Sequence, residues 1–269
     1  MKQFVSPFRA FLLILVVSAV LTACATSPLG RRQFAMLPEE QMAVMGDQAF
    51  LNLKRRQPLE QARGVNAYVE CVAEAIVRQV GGQWEIAVFR EDTPNAFALP
   101  GGKLGVHTGI LKVAVNQHQL ATVIAHEIAH VLSRHTNERV SQQLALSQGL
   151  NAVQVIANPV SPTGQMLMGL LGVGAQYGVL LPYNRIQESE ADMLGLDLMA
   201  KAGFDPQQSL ALWQNMDRVG GGQPVEFLST HPSHATRTQD LQSRMQSAME
   251  LSRQAQAAGK IPRCDDYRK

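Results

Sequence analysis

Residues 120–132 constrain this chain more than any other stretch, because they read as a helix that must be buried around most of its circumference. Leu120, Val123, Ile124, Ile128, Val131 and Leu132 are apolar, and Ala125 and Ala129 are small enough for neighbouring elements to pack closely. Within this apolar helix stand His126, Glu127 and His130. Positions i and i+4 share a helix face, so the two imidazoles project side by side. Neutral imidazoles at that spacing can take two corners of a zinc tetrahedron. Glu127, next to the first of them, is placed to act on a water rather than to bind the ion.

A zinc site needs a third ligand, and a catalytic one leaves the fourth position open. The only dense acidic cluster downstream is Glu188, Glu190 and Asp192, on a segment from Arg185 to Ala202 that reads as a helix. Glu188 and Asp192 are four apart and share a face. That suits Glu188 as the third ligand, with Asp192 gripping the far nitrogen of a zinc histidine. Glu190 points elsewhere and is the alternative third ligand.

Four motifs then carry a family resemblance. They are Asn95–Gly102 (Asn-Ala-Phe-Ala-Leu-Pro-Gly-Gly), His126–His130, Glu188–Asp192, and Thr230–Ser233 with Arg237. In this order they resemble the zinc metallopeptidase family of the CaaX prenyl proteases and HtpX-like enzymes, in particular its bacterial periplasmic lipoprotein branch of LoiP and BepA type. The resemblance covers about residues 36–250. It implies an α+β, mostly helical fold: a gluzincin-type metallopeptidase domain with a small sheet beside the His126–His130 helix. It also implies one Zn²⁺ per chain, held by His126, His130 and Glu188. Glu127 is then the general base, and Asp192 orients a zinc histidine. His231 or Arg237 stabilises the oxyanion, and Asn95, Ala96, Phe97 and Ala98 lie on a sheet edge that holds substrate extended. In the family the His-Pro pair lies close to zinc. His231 could equally occupy the fourth position and shut the site.

Residues 1–23 read as a signal peptide. Lys2 and Arg9 are basic, and the apolar run from Ala10 to Ala23 is too short to span a bilayer. The run ends in Leu21, Thr22, Ala23 and Cys24, which resembles the lipobox of bacterial lipoproteins and makes Cys24 the expected lipidation site. Ala25, in place of an aspartate, points to the periplasmic face of the outer membrane. Residues 24–35 read as a lipidated tether, 36–258 as the metallopeptidase domain and 259–269 as a C-terminal tail. With Cys24 lipidated, Cys71 and Cys264 remain. Export lets them pair and tie the tail to an early helix, or leaves two free thiols.

Helices are expected over Pro38–Arg56 and Gly64–Val80, the second stopped by Gly81 and Gly82. Short strands are expected at Trp84–Phe89, Asn95–Leu99 and Lys103–Val106, then a short helix at Thr108–Val115. The metal helix, opened by Asn116 or Gln117, is expected to run to about Leu146. His107, His118, His135 and His234 lack ligand spacing and read as surface or structural. Residues 140–184 carry no charge at all. Three readings fit them: an internal hairpin near the site, a membrane-contacting lid, or a transmembrane helix. Asp205–Pro206 opens a further helix, and Pro232 the last long one, to about Ala258.

Removing Lys2 and Arg9 from the 24 basic residues leaves 22 against 22 acidic ones, with no basic stripe, so nucleic acid is not an expected partner. The expected partners are unfolded or misassembled envelope proteins as substrates, the membrane through Cys24, and the outer-membrane assembly machinery. The expected function is zinc-dependent endopeptidase action on misfolded or outer-membrane proteins. The alternative is a periplasmic chaperone or assembly factor with a latent peptidase site.

Overall fold

The computed structural model describes residues 24–146, 184–219, 227, 230–231 and 237–268. Residues 1–23, read as a signal peptide, most of the uncharged run, the loop at Gly220–Gly222, Pro232 and His234 lie outside the described residues.

The long helices surround one buried helix. This is α3 (Gln117–Leu132), in which every residue from Gln119 to His130 is buried. Asn116 caps it, its side chain accepting from the backbone N–H of His118 (3.0 Å) and Gln119 (2.9 Å). Before it come α1 (Glu39–Arg56) and α2 (Arg63–Val80). The amphipathic α2 packs Tyr68, Val69, Val72, Ala73 and Ile76 into the same core as Leu120, Val123, Ile124 and Ile128. Each of the valines, leucines and isoleucines among them contributes about 1.5–3 kcal/mol when fully buried. That core offsets the cost of drawing histidines and acids inside. Beyond α3 come α4 (His135–Leu146), α5 (Arg185–Lys201), α6 (Gln208–Val219) and α7 (Arg237–Ala257). The helix α5 packs along α3 and is backed by α7.

Three short strands lie between α2 and α3: β3 (Glu85–Phe89), β4 (Ala96–Leu99) and β5 (Lys103–His107). Their order is β3-β5-β4, with β3 parallel and β4 antiparallel to β5. The turn from β4 to β5 needs Gly101 and Gly102, whose φ values are 82° and 72°. Alternation along β4 divides two cores. Ala96 and Ala98 face the main core with α3, while Phe97 and Leu99 join a second cluster with Phe50 of α1, Phe89 and Val140. The outer edge of β3 is covered by residues 58–60: Glu60 N donates to Val88 O (2.9 Å) and Arg90 N to Pro58 O (2.8 Å). That leaves β4 as the other edge.

Two features differ from the sequence-based expectations, and a third, the Cys71–Cys264 pair, matches one of them. The metal helix does not continue to Leu146. It stops at Leu132, and Arg134, with φ 53°, turns the chain before α4 begins at His135. Residues 24–34 are not a loose tether but a docked hairpin, β1 (Cys24–Thr26) antiparallel to β2 (Arg32–Phe34). The C-terminal residues are also packed. A 3₁₀ turn at Cys264–Tyr267 lies on α2, and a disulfide joins Cys264 to Cys71 with Cα atoms 5.6 Å apart. No helix among the described residues is long and apolar enough to cross a membrane.

Candidate metal centre

The polar face of α3 meets the first two turns of α5. Asn184 starts α5 with a capping box to Gln187, which fixes where the following carboxylates point. The two helices come unusually close at Gly195: a Cβ there would lie 3.0 Å from His126 N and 3.1 Å from Ala125 C. This approach brings Glu188 and Asp192 onto His126. His231 arrives from the C-terminal side, its backbone N–H donating to Phe227 O (2.9 Å).

His126, His130, Glu188 and His231 present ligand atoms that all lie within 4.8 Å of one another, and all four residues are buried. The Nε2 atoms of His126 and His130 are 3.0 Å apart. His231 Nδ1 lies 3.2 Å from His126 Nε2 and 3.1 Å from Glu188 Oε1. Glu188 oxygens lie 3.4 Å from His126 Nε2 and 3.5 Å from His130 Nε2. A tetrahedral zinc with bonds of 2.0–2.1 Å has corners about 3.3–3.4 Å apart. The observed edges of 3.0–3.5 Å match that figure. Imidazole lone pairs facing each other at 3.0 Å repel unless a cation or proton lies between them. Glu188 Oε2, buried without a hydrogen bond, has Arg237 Nη2 3.2 Å away, and Oε1 turns to the histidines. The donor set therefore fits zinc.

The electrostatics agree. Burial pushes the His130 pKa well below its usual range, which leaves the neutral ring a metal requires. Burial opposes charge on Glu188, yet His231, His126 and His130 hold its carboxyl well below the usual carboxylate range. Asp192 Oδ1 lies 2.9 Å from His126 Nδ1 and so fixes that ring, as a partner to its far nitrogen should. Arg237 in turn engages Asp192 through Nη2 (2.8 Å) and stacks its guanidinium over Trp213, 3.6 Å from the ring centroid. Its Nη2 is 3.2 Å from Glu188 Oε2, while its buried Nη1 donates to nothing among the described residues.

Glu127 is not a ligand. Its Oε1 accepts no hydrogen bond and stands 3.4 Å from His231 Nε2, and burial pushes its carboxyl up. The Ala98 backbone N–H opposes that shift, which places β4 beside the base. Asn95, Ala96, Phe97 and Ala98 are all buried. Glu190 lies away from the ligand cluster, 3.1 Å from His135 Nε2. His135 is buried and touches His130, Nδ1 to Nδ1 at 2.8 Å. Sequence reasoning attached no role near the metal to His135. Its place five residues after His130 was the available signal, hidden by the assumption of a continuous helix.

The Peptidase family M48 model matches residues 59–245, a span that includes Glu127 and the four residues of the donor set. "Mitochondrial metalloendopeptidase OMA1" of Schizosaccharomyces pombe is 40% identical over 180 residues, covering 65% of this chain and 51% of that protein. "Metalloendopeptidase OMA1, mitochondrial" of Homo sapiens is 31% identical over 234 residues, covering 83% and 44%. "Putative beta-barrel assembly-enhancing protease" of Vibrio cholerae is 28% identical over 256 residues, covering 88% and 52%. The chain thus spans about half the length of the curated relatives it matches. A match across more than half the chain, over a buried donor set that fits zinc, shows that the chain belongs to Peptidase family M48.

Proposed function

We propose that this chain is a zinc metalloendopeptidase of the bacterial envelope, held at rest in a closed form. The observation that carries the reading is Glu127: a buried carboxyl pushed up by burial, its Oε1 without a hydrogen bond among the described residues, beside the ligand cluster but outside it. Zinc bound there supplies Lewis acidity and lowers the pKa of an attacking water. Glu127 takes a proton from that water as its oxygen attacks the peptide carbonyl carbon. It returns the proton to the leaving amine as the C–N bond breaks. Arg237, whose Nη1 has no hydrogen bond among the described residues, is the donor for the oxyanion, and His231 closes the metal position at rest. β4, at the sheet edge beside Glu127, pairs with the extended substrate.

Casein turnover by purified protein tests this reading. Glu127→Gln should keep one zinc per chain and lose turnover by 10²-fold or more. Equal turnover by both proteins would sink it.

For location and substrates, the lipobox ending in Cys24 supports lipid anchoring at the periplasmic face of the outer membrane. The printed name of the Vibrio cholerae relative supports envelope substrates, misfolded or outer-membrane proteins. Palmitate labelling that is lost in Cys24→Ser is the expected result, and equal labelling would remove the anchor.

One observation favours a second reading, an assembly factor with a latent peptidase. His231 joins His126, His130 and Glu188 in one buried donor set, in the position that a catalytic water would take. Binding of unfolded porin unchanged by Glu127→Gln, with no cleavage by either protein, would favour it.

A further inference from the structure

The two zinc histidines are held in different ways. His126 is gripped directly, its Nδ1 on Asp192, with Arg237 behind that acid. The far nitrogen of His130 is held differently. It meets another imidazole: His130 Nδ1 lies 2.8 Å from His135 Nδ1. His135 Nε2 then lies 3.1 Å from Glu190 Oε2, and Arg31 Nε donates to that same oxygen at 2.7 Å.

The hydrogen positions follow from the metal. His130 faces the ligand cluster with Nε2, so its proton sits on Nδ1 and is donated to His135 Nδ1. His135 must then accept at Nδ1 and carry its own proton on Nε2, which it donates to Glu190. Glu190 must be an ionised acceptor, and Arg31, Ser27 Oγ and His135 all donate to it. The same arginine makes a two-pronged pair with Glu138, at 2.7 Å for each contact. The backbone has been bent for this arrangement. On an uninterrupted helix His135 would point about 140° away from His130. Arg134, at φ 53°, breaks the helix and turns His135 back, a conformation that costs a non-glycine residue about 1–2 kcal/mol.

We propose that Arg31, Glu190 and His135 are positioning residues for the metal, a relay in which the N-terminal hairpin sets the tautomer and orientation of His130. Arg31 lies in the turn between β1 and β2, seven residues after Cys24. The end of the chain read as membrane-anchored is thereby joined to the metal centre by three hydrogen-bonded side chains. The inference rests on His130 being a zinc ligand.

The test uses the mature chain, zinc affinity by competition with a chromophoric chelator, and the visible spectrum of the cobalt-substituted protein. Arg31→Ala, Glu190→Gln and His135→Ala should each weaken zinc about 10–100-fold and shift the cobalt bands. The Arg31→Ala, Glu190→Gln double variant should lose little more than Glu190→Gln alone, because the groups act in series. His135→Asn keeps an acceptor near the Nδ1 position and should recover part of the loss. Ser141→Ala removes the acceptor for Met36 N, just beyond the hairpin, and touches neither Arg31, Glu190 nor His135. It should keep wild-type affinity and spectrum even where its melting temperature falls. Wild-type affinity in Arg31→Ala and Glu190→Gln, or equal losses in Ser141→Ala and Arg31→Ala, would overturn the relay. Zinc retained at full affinity in His130→Ala would overturn the ligand assignment beneath it instead.

Discussion

His231 Nε2 stands 3.4 Å from Glu127 Oε1, while Nδ1 of the same ring lies within 3.2 Å of both His126 Nε2 and Glu188 Oε1. One imidazole therefore spans the metal position and the general base. A fourth protein ligand displaces the water that a catalytic zinc needs, and here the same ring also lies between the donor set and Glu127. His231→Ala is expected to retain zinc on three residues and to raise basal casein turnover severalfold. A fall of about 10²-fold with zinc still bound would assign the ring to the oxyanion instead. Unchanged turnover and unchanged zinc would remove it from both roles.

Gly195 sets the spacing on which the site depends. An added Cβ would meet backbone atoms of Ala125 and His126 at 3.0–3.1 Å, and neither can swing aside. In Gly195→Ala, α5 must move by a few tenths of an ångström and carry Glu188 and Asp192 with it. The better helix propensity of alanine returns up to about 1 kcal/mol, against about 1–3 kcal/mol for overpacking. Stability should therefore change little or fall by up to about 2 kcal/mol, while zinc affinity drops about tenfold or more. Thermal melts paired with chelator competition separate the two effects. A higher melting temperature with full affinity would show that the helices have room to part.

The metal helix and its partner were legible because their chemistry is local. His126 and His130, like Glu188 and Asp192, are four residues apart, and helix geometry alone puts each pair on one face. The strands were found to within about two residues by their alternation, but alternation carries no strand order, so the parallel pairing of β3 with β5 came only from the structure. The hairpin at residues 24–34 was not legible at all. Its decisive contacts join Arg31 to Glu138 and Glu190, 107 and 159 residues away, and no short-range pattern records them. The helix break was hidden for another reason. Val131 to Arg139 continues a helical pattern, and the turn is imposed by tertiary contacts such as Gln33 Nε2 donating to Ser133 O (2.5 Å).

Zinc binding should release a proton. Burial lowers the pKa of His126, but Asp192 and Glu188 outweigh it and carry it up to about 9. Zinc needs Nε2 bare, so below about pH 9 binding must displace that proton. Affinity should then rise about tenfold per pH unit between pH 6 and 8 and level off above 9. Calorimetric titrations at pH 7, in buffers of different ionisation enthalpy, should give about one proton released per zinc. Asp192→Asn removes one of the two acids that hold the proton and should reduce the release. No proton released by the wild type would show His126 neutral before the metal arrives.

The last prediction separates stability from the site. The disulfide joins Cys71 of α2 to Cys264 across 193 residues of sequence, a loop for which the chain-entropy model gives about 5 kcal/mol. The segment it pins also holds the start of α3. Cys264 N donates to Gln117 Oε1 (2.6 Å), Gln117 N to Asp265 Oδ1 (2.9 Å), and Gln117 Nε2 to Pro262 O (2.9 Å). His126 lies nine residues further along, about 14 Å up the helix. Fraying of the first turn should fade over that distance, because the residues between are packed on every side. The Cys71→Ser, Cys264→Ser variant is therefore expected to lose about 2–5 kcal/mol of stability in denaturant titrations. Its zinc affinity at 25 °C should stay at the wild-type value. Wild-type protein with two titratable thiols, and the same gel mobility with and without reductant, would show that the bond is absent in solution. Weakened zinc binding in a variant that is still folded would show that the start of α3 is mechanically coupled to the ligands.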